Sequence, residues 1–84
     1  MGYVIIDSAP KYSGYTHRMM PHVLDTCKSY QEYEGAWRRV LHNYSHDDRL
    51  TNIDSGKAPL TGLCWLTYEL KETGEKHTVT TEVV

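Results

Sequence analysis

"PHVLDTCKSYQEYEGAWRRVLHNY", residues 21–44, is the stretch on which the fold turns. Val23, Cys27, Tyr30, Tyr33, Trp37, Val40, Leu41 and Tyr44 recur at steps of three and four, the repeat of an apolar stripe along an α-helix. Pro21 suits the first turn of such a helix, where its missing N–H leaves nothing unpaired. Glu34 and Arg38, four apart and in the favourable order, add a little support. The stretch predicts one long amphipathic helix over residues 21–44. Gly35 is its weak point and a candidate kink, since glycine costs up to about 1 kcal/mol relative to alanine inside a helix.

On the N-terminal side, "YVIID", residues 3–7, is apolar and β-branched and reads as a buried strand. The connection that follows carries Pro10 and Gly14 and interleaves Lys11, Tyr12, Tyr15, His17 and Arg18. Its length is unusual for so small a domain, and long connections often carry function. On the C-terminal side, Ser45 followed by Asp48 resembles a capping box, so "HDDRLTNID" predicts a second, short helix that Gly56 can close. "GKAPLTG" is then a loop and "LCWLTYEL", residues 63–70, a strand apolar on both faces. Gly74 supplies a hairpin turn, and "HTVTTEVV", residues 77–84, reads as an edge strand. The order β-α-(α)-β-β predicts an α+β, two-layer domain over residues 1–84. It is a three-stranded sheet with the 63–70 strand in the middle and one long helix packed on one face.

A chain of 84 residues buries roughly 60–65% of its unfolded surface, which allows one layer of core but leaves little room for a deep catalytic shell. The net charge of −2 argues against a DNA-coating protein. Residues 1–44 hold five basic against four acidic side chains, and residues 45–84 hold four against seven, so any anion-binding surface belongs to the first half. Cys27 and Cys64 have no CxxC spacing, "MGYVIIDSAP" lacks the regions of a signal peptide, and no apolar run reaches membrane-spanning length. The expectation is a cytoplasmic protein with two reduced, buried thiols and no cofactor. Seven tyrosines and no phenylalanine point to half-buried positions and contact surfaces, because each hydroxyl needs a partner.

Within the decisive stretch, a helical wheel turns Trp37, Val40, Leu41 and Tyr44 toward the core and Arg38, Arg39, His42 and Lys28 away from it. These four, joined by Arg18, Tyr12 and Tyr15 of the 11–18 loop, are the candidate contacts for phosphate or an acidic protein surface. His42 and His46 are four apart, but Ser45 as a cap would break the helix between them, so no metal site is expected. There is no GxSxG elbow and no phosphate-binding glycine loop. On the 63–70 strand, giving Cys64, Leu66, Tyr68 and Leu70 to the helix leaves Leu63, Trp65 and Thr67 pointing away. With Ile5 or Val4 and Val79 or Thr80 they make an apolar patch centred on Trp65, a candidate homodimer or partner surface unless segment 8–18 or 50–61 covers it.

In layout, size and Tyr/His/Arg content the chain is similar to small endoribonuclease toxins of the RelE type, which would imply RNA cleavage through the 11–18 loop and the basic helix face. No motif of that family is matched, and the basic C-terminal end is missing. The chain also resembles, in type, short acidic phage-encoded inhibitors of host defence or host enzymes. The expectation is therefore a non-enzymatic module that binds and modulates, by inhibition, a protein partner. An RNA-contacting protein or small ribonuclease is the alternative, and a structural or assembly component a third.

Overall fold

The computed structural model describes residues 2–12 and 19–84, with side chains for residues 2–9 and 22–84. Five strands and one helix follow in the order β1 (Tyr3–Tyr12), β2 (Met19–Cys27), α1 (Tyr30–Ser45), β3 (Leu50–Lys57), β4 (Cys64–Leu70) and β5 (Lys76–Val83). The strands form one antiparallel sheet in the order β2-β1-β5-β4-β3. Helix α1 joins the two edge strands, β2 and β3, and lies across one face on the way. The class is α+β with a single helix layer, as expected, but the sheet has five strands and not three.

Both extra strands come out of stretches whose sequence suggests a helix. Residues 21–27 belong to β2, and α1 begins at Tyr30. Ser29 is the N-cap: extended at φ −135 and ψ 161, it accepts the Glu32 N–H at 3.2 Å, while the Glu32 carboxylate accepts the Lys28 N–H at 2.9 Å. Pro21 is tolerated because β2 is an edge strand. The step from Val23 to Cys27 matches a helical repeat only by coincidence. Ile6 pairs with Val23 and Ile5 with Asp25, so Leu24 is an extra residue in the strand. That bulge reverses the facing: Val23 points away from the helix and is 51% exposed, whereas Cys27 points into the core.

The second helix is absent because Asp47 closes a turn instead of capping one. Its carboxylate accepts the Arg49 N–H and both arms of the Arg49 guanidinium, at 3.0, 3.0 and 2.7 Å. The chain leaves that turn extended as β3. Pairing jumps from Thr51↔Glu69 to Asp54↔Thr67, and Asn52 adopts a positive φ of 51° in the bulge between them. Gly56 is no helix cap. It sits in β3 opposite Trp65, and a Cβ there would fall 2.6 Å from the Trp65 ring. The 8–18 connection is shorter than expected, since β1 runs on to Tyr12; residues 13–18 lie outside the described residues. Strand β5 is not an edge but the centre of the sheet, between β1 and β4. Gly74 does have the positive φ, 75°, that its hairpin needs.

The core lies between α1 and the sheet: Ile5, Cys27, Tyr33, Ala36, Trp37, Val40, Leu66, Tyr68 and Val79. Leu41 and Tyr44 pack on it, and Arg38, Arg39 and His42 are exposed, as the wheel predicts. The tyrosines need a different account from contact surfaces, because several are core residues whose hydroxyls close gaps in the hydrogen bonding. The β4–β5 ladder stops at Leu66↔Val79, and continuing its register would set Cys64 against Thr81. There Tyr33 inserts its hydroxyl. The Cys64 N–H donates to it at 2.7 Å, it donates to Thr81 Oγ1 at 2.7 Å, and Thr81 returns a bond to the Cys64 carbonyl at 3.2 Å. Among the described residues no buried side-chain polar atom lacks a partner.

Candidate functional site

At the C-terminal end of α1 the helix, the sheet and two turns leave a cleft of about 610 Å³. Asp7 of β1 forms its floor. The bulge in β1 follows Asp7, and the Ala9 N–H turns back onto the carboxylate at 2.9 Å. Tyr44, from the last turns of α1, donates to Asp7 Oδ2 at 2.5 Å, and Tyr68 of β4 donates at 2.8 Å to each oxygen. The two phenol rings meet edge to face with centroids 5.3 Å apart. His22 stands opposite Asp7 on β2. Leu50 and Leu70, a cross-strand pair, supply apolar wall, and Asp47, Arg49, Lys71, Glu72 and Thr73 form the rim.

Burial, and then donation to the Asp7 carboxylate, push both phenols far above the ordinary tyrosine range. At neutral pH they are hydrogen-bond donors and not proton acceptors. At the rim, the bonds from Arg49 hold the Asp47 carboxyl down to about 2, so that pair stays charged and spent on itself. The cleft can thus bind and orient through these phenol donors. Cys27 lies elsewhere, on β2, its thiol pushed up by burial and then by Asp25 and Glu32.

The residues singled out from sequence are scattered. Arg38 and His42 lie on the solvent side of α1; the His42 and His46 rings are 4.2 Å apart, with His46 capping the helix and bonding the His42 carbonyl. Arg39 reaches Asp25 at 3.4 Å. Lys28 is not on the helix at all: it precedes the cap, because the helix starts nine residues later than position 21. Arg18 and Tyr15 fall outside the described residues, and of Tyr12 only the backbone, in β1, is described. Among the described residues no three His, Cys, Asp or Glu side chains gather as a metal site. Among the described residues no helix is long and apolar enough to cross a membrane.

Trp65 does point away from the helix. On that face Ile6 is paired on one side with Val23 and on the other with Thr80, an in-register row across β2, β1 and β5, with Val4 beside it on β1. Ile5 and Val79 instead face the core. Segment 50–61 lies in the plane of the sheet as β3 and its turn, so it does not cover the face; segment 13–18 is outside the described residues. Trp65 is half-buried by its own neighbour, Gly56.

The Asp7 cleft was not singled out from sequence. One signal was available: Asp7 ends an otherwise apolar strand on the core side, where a charge needs partners. The hydroxyls of Tyr44 and Tyr68 were waiting on the two elements facing it. No protein-family model, curated protein or solved structure matches this chain.

Proposed function

We propose that this chain is a small non-enzymatic module whose helix-free sheet face docks on a protein partner and modulates it by occupying that partner's surface, in the manner of an inhibitor. One observation carries the reading. The row Val23–Ile6–Thr80, with Val4 and Trp65 on the same face, presents valine, isoleucine and tryptophan side chains on β2, β1 and β4 with no layer over them among the described residues. Support also comes from the cleft, whose phenols are held protonated and donate, with one backbone amide, to its carboxylate, an arrangement suited to binding. A reducing compartment, the cytoplasm, fits two unpaired thiols on β2 and β4, strands separated by two others and so about 14 Å apart. RNA contact through the helix has less to stand on, with Arg39 tied to Asp25, Glu34 beside the arginines, and Lys28 off the helix.

The test places a photo-crosslinking phenylalanine analogue at Thr80 on the sheet face or at Arg38 on the helix face, in the native host. A discrete adduct from Thr80 and none from Arg38 is expected, and an adduct of two copies would name the occupant as a second chain. Val23→Lys, with the analogue kept at Thr80, should abolish the adduct without lowering Tm, since Val23 is exposed. Adducts from Arg38 alone, or none from either site, would overturn the reading.

A further inference from the structure

Asp7 is only 4% exposed, yet among the described residues no lysine, arginine or histidine nitrogen lies within ion-pair distance of it. Buried carboxylates are ordinarily paired with a cation, because neutral donors recover only part of the lost hydration. Here the donors are two phenols and one backbone amide, all neutral. Among the described residues the carboxylate is thus left without a cationic partner, at the floor of a cleft whose volume is in the range of small-ligand pockets, about 300–1,000 Å³. We propose that this cleft receives one alkylammonium or alkylguanidinium group, with Asp7 as counter-ion, Tyr44 and Tyr68 as aromatic walls, and Leu50 and Leu70 against the methylene stem.

The charges around the cleft favour a cation over an anion. Arg49 is engaged twice by Asp47, at 3.0 and 2.7 Å, and contributes no free positive charge. Lys71 and Glu72 are adjacent, exposed and of opposite sign. An anion entering the cleft would meet Asp7, and the basic residues of the lining, His22, Arg49 and Lys71, all lie beyond ion-pair distance of that carboxylate. An ammonium would meet a carboxylate shielded from water, where attraction is weakly screened, beside the two phenol rings that line the cleft. The ligand chemistry is that of a lysine or arginine side chain, or of a free amine of the same form. The site is on the helix side of the sheet and does not depend on what docks on the opposite face.

Titration of the isotope-labelled protein with n-butylammonium and n-butylguanidinium chlorides, followed by NMR at constant ionic strength, tests this directly. Saturable shifts confined to Asp7, Tyr44, Tyr68, Leu50 and Leu70 are expected, with dissociation constants on the order of 10 mM for so few ligand atoms. Sodium butyrate and sodium phosphate should give none. Asp7→Asn should remove the response. Because that change can also unfold the domain, the exposed rim supplies a second pair: Glu72→Lys should weaken binding about threefold and Lys71→Glu strengthen it by a similar factor. An acetylated and amidated Ala-Lys-Ala peptide binding more tightly than butylammonium would make a side chain the source of the cation, and weaker binding a free amine. No saturable shift with either cation, shifts with phosphate instead, or rim variants of equal affinity would overturn the proposal.

Discussion

Replacing Tyr33 with phenylalanine removes one oxygen from the place where β4 and β5 part. The ring stays, stacked on Tyr3 at 5.0 Å and tilted against Trp37 at 6.3 Å, so packing is little changed. What is lost is the acceptor of the Cys64 N–H and the donor to Thr81. Thr81 keeps its bond to the Cys64 carbonyl, but the Cys64 amide is left without a partner beneath a fully buried ring. An orphaned buried amide costs about 1–3 kcal/mol, and the lost Thr81 bond about 1 kcal/mol more. We expect about 2–4 kcal/mol in all, which for a domain this size lowers Tm by roughly 10–30 °C. Tyr30→Phe is the control. Its hydroxyl reaches the Gly62 carbonyl at 3.3 Å and Lys57 at 3.5 Å in exposed surroundings, and water can replace both, so it should cost under about 1 kcal/mol. Urea unfolding of both variants, with hydrogen exchange at the Cys64 amide, makes the comparison. Equal costs, or a Cys64 amide as protected in Tyr33→Phe as in the wild type, would refute the bridging role.

Gly56→Ala should force the Trp65 ring off the β3 backbone, since its Cβ would lie 2.6 Å from Cζ2; we expect about 1–3 kcal/mol of destabilisation and a red-shifted tryptophan emission. In an alkaline titration followed at 295 nm, Tyr33, Tyr44 and Tyr68 should stay silent through the range in which a free tyrosine ionises, because burial raises all three. A raised folded-state value means that the unfolded chain releases these protons first, so stability should be intact below about pH 10 and fall above it. Three silent phenols that then titrate together with loss of the CD signal are the expected result, and ionisation of any of the three in the folded protein within the free-tyrosine range would contradict the burial.

How far the sequence carried depended on whether a local signal had a rival. The 63–70 and 77–84 strands and the helix from Tyr30 onward were legible because period, turn glycine and wheel agreed. Residues 21–29 were not, because Val23 and Cys27 extend the helical repeat in phase, and the Leu24 bulge that sets them on opposite faces leaves no mark in the apolar pattern. The better signal was Ser29 followed by Glu32, a capping pair lying inside the stretch and outweighed there by periodicity. The same motif misled at Ser45 and Asp48, where the neighbouring Asp47–Arg49 pair closes a turn instead. A cap motif therefore decides a boundary only against the side chains that compete for the same backbone.

The candidate site shows the same dependence on partners distant in sequence. Asp7 and Tyr68 are 61 residues apart, and Asp7 and Tyr44 are 37 apart, so no spacing rule joins them. What the sequence did contain was the demand: an acidic residue on the core side of an apolar strand, and a chain that uses tyrosine throughout and phenylalanine nowhere. In a sheet with one helix layer, a phenol can fill core volume with its ring and still deliver a hydroxyl to a backbone gap or a carboxylate. Tyr33 does the first of these at Cys64, and Tyr44 and Tyr68 do the second at Asp7. Phenylalanine at those positions would pack as well and leave an amide and a charge unmet. A core built around polar anchors favours tyrosine over phenylalanine at these three positions, and a cleft of about 610 Å³ opens at the anchor whose charge the neutral hydroxyls do not cancel.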